Sequence, residues 1–367
     1  MSLFRPEIGS GIGALEYAYH LGKHMDHLIS KKDSIERMSA FEGPYDNQAS
    51  GSVYLDSEFK RKLRSIPKDK YDIIHISDHE LGFAAKILKE SGNRAKIVTT
   101  VHSLYRLKPR MLKSVKQSTY DRLVRKSISD AIKYSDMLLC NSSETYKEVE
   151  KYFGKHKNMS VIFHGISDEI LDMPQPKGKK VGAFTIGYIG ALLNYKNVIF
   201  IFDAAAYLRG KQYKFLIYGS GSDRKMLEDF KAVNHLNNLN IMGYLNEDKK
   251  VKAYDSFDAF VFPSMYEGLG IPILEAKARG LPVIIYKYGT IPEEVRKYCF
   301  EVTSPEGMAS AIKSIKEKGF DENIRRKAMD SARSFTWDKT ARKTLSAYRS
   351  ILKSKRKAKA RAHPAGR

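Results

Sequence analysis

A chain of 367 residues exceeds what one small core needs and suits two α/β domains; at 42% hydrophobic it can bury two cores, which excludes wholesale disorder. Basic side chains outnumber acidic ones 64 to 42, a net charge of +22. That excess predicts attraction to polyanions (nucleic acid, an anionic membrane surface or phosphate-bearing substrates) without choosing among them. Only Ser2-Leu3-Phe4 precedes the first glycine loop, Gly9-Ser10-Gly11-Ile12-Gly13, so the first strand is either very short or the sheet begins elsewhere. A helical stretch, ALEYAYHLGKH, follows. Strand-like runs then recur at YDIIHIS (71–77), KIVTTVHS (96–103), DMLLCNSS (136–143) and MSVIFHG (159–165). After MPQPKGKKVG (173–182), which reads as a linker, they resume. The second series is FTIGYIGAL (184–192), KFLIYGSGS (214–222), LNIMGYL (239–245), DAFVFPS (258–264) and LPVIIYKY (281–288).

Continuously apolar strands alternating with helices indicate parallel sheets covered on both faces. Two such series imply two doubly wound, Rossmann-like domains, expected over 1–175 and 182–335. A helix is expected over 336–352 and a basic, disordered tail over 353–367. No apolar run reaches the roughly 18–20 residues of a membrane span. The N-terminus has no signal-peptide core, so a cytoplasmic protein is expected. Cys140 and Cys299 lack metal-ligand spacing and read as buried thiols.

In doubly wound sheets ligands sit outside the carboxyl ends of the strands. There FPSMYEGLGIPILEAKARGLPVI (262–284) stands out. Glu267-Gly268-Leu269-Gly270 makes a glycine-bearing turn, Pro272 sits where a helix begins, and Glu275 is expected near its first turn. Open backbone amides and a helix N-terminus favour phosphate. Two carboxylates bracketing the turn can accept hydrogen bonds from vicinal hydroxyls. The competing structural reading is a glycine turn with a dipole-stabilising glutamate.

This segment resembles glycosyltransferase family 4, retaining enzymes of the GT-B fold. The resemblance rests on Pro263, Ser264, Glu267, Gly268, Gly270, Pro272, Glu275, Ala276, Ala278, Gly280, Pro282 and Val283, with seven residues between the glutamates. It implies two domains facing a cleft, the terminal helix crossing back to the first. It also implies that Glu267 and the amides of Gly268 to Gly270 meet the transferred sugar, and that Glu275 binds the nucleotide ribose. GYIGALLNYKN (187–197) resembles the family's glycine turn, so Gly190 and Lys196 are assigned to the diphosphate; Ala191 stands where many members carry an Arg. YGSGSD (218–223), with Gly219, and MGYL (242–245) resemble further nucleotide loops, and GTIPEEV (289–295) resembles a turn near the donor. The resemblance extends to Gly11 as a phosphate or acceptor contact and to His102, within a TVH pattern, as a contact to a sugar hydroxyl.

The implied reaction moves a hexose from a UDP- or GDP-sugar to a glycan or lipid-linked acceptor. No Asp-x-Asp triplet occurs, and neither an essential metal nor another cofactor is expected. Residues 105–133 carry nine Lys or Arg against two Asp, interleaved with apolar residues. That pattern suggests a cationic amphipathic helix on an anionic membrane surface, a peripheral seat at the inner face. Two alternatives stay open: a sugar-nucleotide epimerase of the same fold, and a nucleic-acid-associated or DNA-glycosylating protein. No nucleic-acid-binding signature accompanies the charge.

Overall fold

The computed structural model describes residues 2–4, 13–30, 34–39, 57–107, 118–175 and 182–362. The chain divides into two compact units, Met1–His164 together with Trp337–Arg367, and Gly165–Thr336.

The first unit runs β1 (Ser2–Phe4), α1 (Gly13–Asp26), β2 (Arg37–Ser39), α2 (Ser57–Ser65), β3 (Ile73–Ile76), α3 (Phe83–Glu90), β4 (Lys96–Val101), α4 (Ser118–Tyr134), β5 (Met137–Cys140), α5 (Ser143–Phe153) and β6 (Met159–Val161). Its strands are all parallel, in the order β2-β1-β3-β4-β5-β6. Helices cover both faces, which is why Ile97, Val98, Val101 and Leu138 to Cys140 are buried without alternation. Local chemistry ends the helices cleanly: the Ser142 side chain accepts from the Thr145 amide to start α5, and Gly154 terminates it.

The second unit runs α6 (Asp168–Asp172), β7 (Phe184–Ile189), α7 (Ile199–Tyr207), β8 (Tyr213–Tyr218), α8 (Arg224–Val233), β9 (Leu239–Gly243), α9 (Glu247–Ser256), β10 (Ala259–Phe262), α10 (Ile271–Ala278), β11 (Val283–Tyr286), α11 (Glu293–Arg296), β12 (Phe300–Val302), α12 (Pro305–Lys318) and α13 (Glu322–Arg333). These strands are also parallel, in the order β12-β11-β10-β7-β8-β9. The order reverses between β7 and β10, the Rossmann arrangement. Stacked aromatics fill the centre. Phe257, Phe260 and Phe262 are fully buried, and a Cβ on Gly187 would lie 2.2 Å from the Phe257 ring.

The terminal helix α14 (Trp337–Ala362) belongs to the first unit. Trp337 and Ala341 pack with Tyr17, Leu21 and Met25 of α1, and Ile351 packs with Val98, Leu139 and Ile162.

Four features differ from expectation. β2 and β12 were not anticipated, being three residues each; Phe300 and Glu301 of β12 are exposed, as suits an edge strand. The unit boundary falls at 164/165, ahead of the Pro/Gly/Lys segment. Arg279 donates to the carbonyls of Met173 (2.6 Å) and Pro174 (2.7 Å), and Gln175 to that of Ala278 (3.2 Å), tying residues 173–175 to the second unit. Helix α14 continues through Ala362 where a disordered tail was expected from 353; Lys, Arg and Ala are strong helix formers, and no proline interrupts before Pro364. Finally, the apolar residues of α4 are core. Val124, Ile128 and Ile132 lie in the main cluster of the first unit, and among the described side chains of α4 those fully outward are Arg122, Lys126, Ser129 and Lys133. Among the α4 residues whose side chains are described, none of the fully outward ones is apolar. Residues 108–117 of the basic segment lie outside the described residues.

Candidate active site

The switch point between β7 and β10 brings their following loops together, 190–198 and 263–270. Backbone bonds fix these loops. The Met265 amide donates to the Tyr195 carbonyl (2.9 Å) and Asn197, in the left-handed conformation, donates from Nδ2 to Pro263 (3.4 Å). On the other flank the loop after β7 is zipped to the loop after β8: Gly190 donates to Tyr218 (3.0 Å), Leu192 to Ser220 (2.8 Å) and Asp223 to Leu192 (3.0 Å). A Cβ on Gly219 would lie 1.9 Å from the Gly190 carbonyl oxygen, so no side chain fits. The amides of Gly190 and Gly219 are spent on Tyr218 and Gly243, the latter at 2.7 Å. Their contribution is close backbone approach.

Within this frame Lys196 and Glu267 meet. Nζ lies 2.6 Å from Oε1, with the side chains 14% and 8% exposed, so the pair is shielded yet reachable. The ammonium also sits over the rings of Tyr195 (5.1 Å) and Phe262 (5.4 Å). Glu267 is held from the other side. Its amide donates to Thr290 (3.3 Å) and the Thr290 amide donates to Met265 (3.1 Å), so 289–290 pairs with 265–267. Among the described residues, no hydrogen bond occupies the amides of Gly268, Leu269 or Gly270. Gly270, at φ +90°, turns the chain into α10, and Pro272 occupies its first turn. Leu269 is itself buried, so only its backbone faces the turn.

Glu275 lies in the second turn of α10, one step deeper than expected, because the helix starts at Ile271. Its carboxylate is buried. Tyr254 Oη donates to Oε2 (2.7 Å), and Lys250 Nζ lies 3.7 Å from Oε1 and 2.5 Å from Glu247 Oε1. Burial raises the Glu275 carboxyl above its ordinary range, and Lys250 opposes that rise. Neither Lys250 nor Tyr254 was legible as a site residue. Both lie on α9, whose sequence EDKKVKAYDS reads as a solvated helix.

His102 belongs to the first unit, just past β4. Its Nε2 faces the Ser77 carbonyl at 2.6 Å and must donate to it, leaving Nδ1 as an acceptor. Burial lowers its pKa to about 4, against the pull of Asp78, so the ring is neutral at pH 7. Around it lie Tyr17 (5.1 Å between centroids) and His164 (5.0 Å). Gly11 lies outside the described residues. Among the described residues no three His, Cys, Asp or Glu side chains are grouped as metal ligands would be.

Two family models match the chain. Residues 22–170 match Glycosyltransferase Family 4, and residues 170–335 match Glycosyl transferases group 1. An uncharacterized glycosyltransferase of Methanocaldococcus jannaschii is 27% identical over 81% of this chain and 80% of that protein. A UDP-Gal:alpha-D-GlcNAc-diphosphoundecaprenol alpha-1,3-galactosyltransferase of Escherichia coli is 29% identical over 60% of this chain and 59% of that protein. Among solved structures, sucrose-phosphate synthase from Thermosynechococcus elongatus superposes with a TM-score of 0.75 at 18% identity, over 96% of this chain and 99% of that one. Anabaena HepE, solved with UDP and glucose, gives 0.70 at 17% identity over 94% and 99%. The chain therefore belongs to the GT-B glycosyltransferases of family 4.

Proposed function

We propose that the chain is a retaining transferase that moves a hexosyl group from a UDP- or GDP-sugar to a hydroxyl of a glycan or lipid-linked acceptor. The pairing of Lys196 with Glu267, beside the amides of Gly268 to Gly270 at a sheet switch point, carries this reading. The departing nucleoside diphosphate gains negative charge, which the Lys196 ammonium and oriented amides stabilise; the sugar becomes cation-like beside the Glu267 carboxylate. With Ala191 at the position of a second cation, Lys196 bears more of that load. Glu275 takes the ribose hydroxyls, and the Nδ1 of His102 accepts from a hydroxyl of the transferred sugar. Double displacement needs a carboxylate nucleophile about 5 Å from its partner. We assign no such nucleophile; attack comes from the face the leaving group vacates, and the donor phosphate takes the acceptor's proton.

The E. coli relative is named for a diphosphoundecaprenol-linked acceptor, and HepE was solved with UDP and glucose; both support the substrate classes proposed here. The outward Arg122, Lys126 and Lys133 of α4 suit electrostatic attraction to an anionic cytoplasmic membrane surface. Among the described residues no helix is long and apolar enough to cross a membrane.

A thermal-shift panel of UDP-, GDP- and ADP-sugars tests the reading. A ligand at 100 times its dissociation constant adds about 2.7 kcal/mol. Silence across the panel refutes nucleotide-sugar binding. Transfer unimpaired by EDTA, with the donor's anomeric configuration kept in the product by NMR, completes the test. Flotation with anionic liposomes supports the membrane setting, whereas sugar transfer to duplex DNA would replace it.

A further inference from the structure

Glu275 presents an unusual demand. To take two vicinal hydroxyls it must offer acceptor lone pairs on both oxygens, which only the ionised carboxylate does. Yet its side chain is 3% exposed, and one lone pair already receives the Tyr254 hydroxyl. An isolated carboxylate so placed would bind a proton instead of staying charged.

We propose that Lys250 is a positioning residue of the nucleotide site, its ammonium braced by Glu247 so that the Glu275 carboxylate is kept as a double acceptor for a vicinal diol. This rests on the ribose role proposed for Glu275. Lys250 Nζ lies 2.5 Å from Glu247 Oε1 and 3.7 Å from Glu275 Oε1, and its own side chain is 13% exposed. The charged groups acting on Glu275 are Lys250, which favours ionisation, and Glu247, which opposes it; both come from α9, as does Tyr254. The other cations nearby on α10 are directed elsewhere. Lys277 donates to the carbonyls of Val295 (3.1 Å) and Lys297 (2.9 Å), and Arg279 is bound by Asp255 (2.8 Å) and the 173–174 carbonyls. On α13, Arg325 pairs with Glu322 at 2.8 Å. Lys250 is therefore the cation assigned to this carboxylate. Glu247 is the stay that stops Lys250 from moving into the diol's place.

The test is UDP affinity by calorimetry between pH 6 and 8.5, for the wild type and Lys250→Met, Lys250→Arg and Glu247→Gln. Dividing each variant's Kd by the wild-type Kd at the same pH cancels the titration of the nucleotide's own phosphates. For Lys250→Met the ratio is expected to be about tenfold or more at pH 6 and to fall toward one at pH 8.5. Below the pKa of a carboxyl, every step of one in pH divides its ionised population by about ten, whereas well above it the carboxylate is fully formed in both proteins. Lys250→Arg should hold the ratio near one throughout. Glu247→Gln gives a second variant with the charge of Lys250 intact. The charge opposing ionisation of Glu275 is gone and Lys250 is unbraced toward the diol's place, so this variant's ratio is expected to rise by a similar factor at every pH. 2′-Deoxy-UDP, which lacks one hydroxyl, should lose affinity for the wild type but little more for Lys250→Met at pH 6. A Lys250→Met ratio equal at all pH values, or absent altogether, overturns the proposal while leaving the nucleotide reading intact. If the wild type binds UDP and 2′-deoxy-UDP equally, the ribose role falls and this proposal with it.

Discussion

The first unit should be labile in mild acid, and its buried histidines set the scale. His75 bridges two elements. Tyr348 Oη lies 2.6 Å from Nδ1 and Thr100 Oγ1 lies 2.7 Å from Nε2, while the Thr100 hydroxyl goes on to Tyr17. In the neutral ring that burial favours, Tyr348 donates to Nδ1 and Nε2–H donates to Thr100. Burial lowers the His75 pKa to about 3 and that of His102 to about 4. In the unfolded chain both return to about 6.5. The unfolded state thus takes up protons first as pH falls. Stability is complete above about 6.5 and drains away below it, until each group reaches its folded-state value. At pH 5 the loss is about 2 kcal/mol for each of the two, about 4 kcal/mol together. His164, also lowered by burial, adds to it in the same direction. Against a typical domain stability of about 5–15 kcal/mol, that is a large fraction. Trp337, the single tryptophan, is buried among Tyr17, His20 and His164, so its fluorescence reports on this cluster. Urea melts followed by Trp337 emission should show the midpoint falling steeply between pH 7.5 and pH 5. In His75→Gln, which has no proton to gain, the fall should shrink by about 2 kcal/mol. A midpoint unchanged between those pH values, or a fall no smaller in the variant, refutes the assignment of neutral buried imidazoles.

Two further outcomes probe the second unit. Lys196→Ala should lower turnover by about 10²-fold or more if its ammonium stabilises the leaving diphosphate; single-turnover transfer kinetics measure this, and a loss of only a few-fold would exclude the role. Gly219→Ala would force a methyl against the Gly190 carbonyl, 1.9 Å from the Cβ position, and part the two loops. Nucleotide affinity should fall together with stability, the latter by about 1–3 kcal/mol; calorimetry and thermal melts showing native values would mean that the loops do not need this approach.

What could be read without coordinates was local. Strand runs such as MLLC and AFVF were legible because helices on both faces bury every residue, leaving no polar interruption. β2 and β12 were not, since three residues at an exposed edge carry no such pattern. The linker-like composition of 173–182 hid a tether. Nothing in Met173, Pro174 or Gln175 announces that Arg279, over a hundred positions on, will claim two of their carbonyls. The α4 part of the basic segment was open to two readings for a related reason. Val124, Ile128 and Ile132 have the spacing of an amphipathic face, and spacing does not distinguish a face that meets lipid from one that meets β-sheet.

The candidate site divides along the same line. Glu267, the glycines after it and Glu275 are eight positions or fewer apart, so one motif held them all. Their partners are remote. Lys196 is 71 residues from Glu267, and Tyr254 is 21 from Glu275. For Lys196 a general rule was sufficient in principle: β7 and β10 are neighbours across the reversal of strand order, so the loops after them must meet. No comparable rule covers α9, a helix on the flank of the sheet whose register decides which side chains turn inward. In EDKKVKAYDS, one residue's rotation would turn Lys250 away from Glu275. The roles proposed for Glu267 and Glu275 differ for this reason more than for their own chemistry. Glu267 is paired with a cation and remains slightly exposed, while Glu275 sits deeper, against a tyrosine and a braced lysine. Identical side chains on one motif are thereby given different surroundings by the helices and loops that other parts of the chain bring against them.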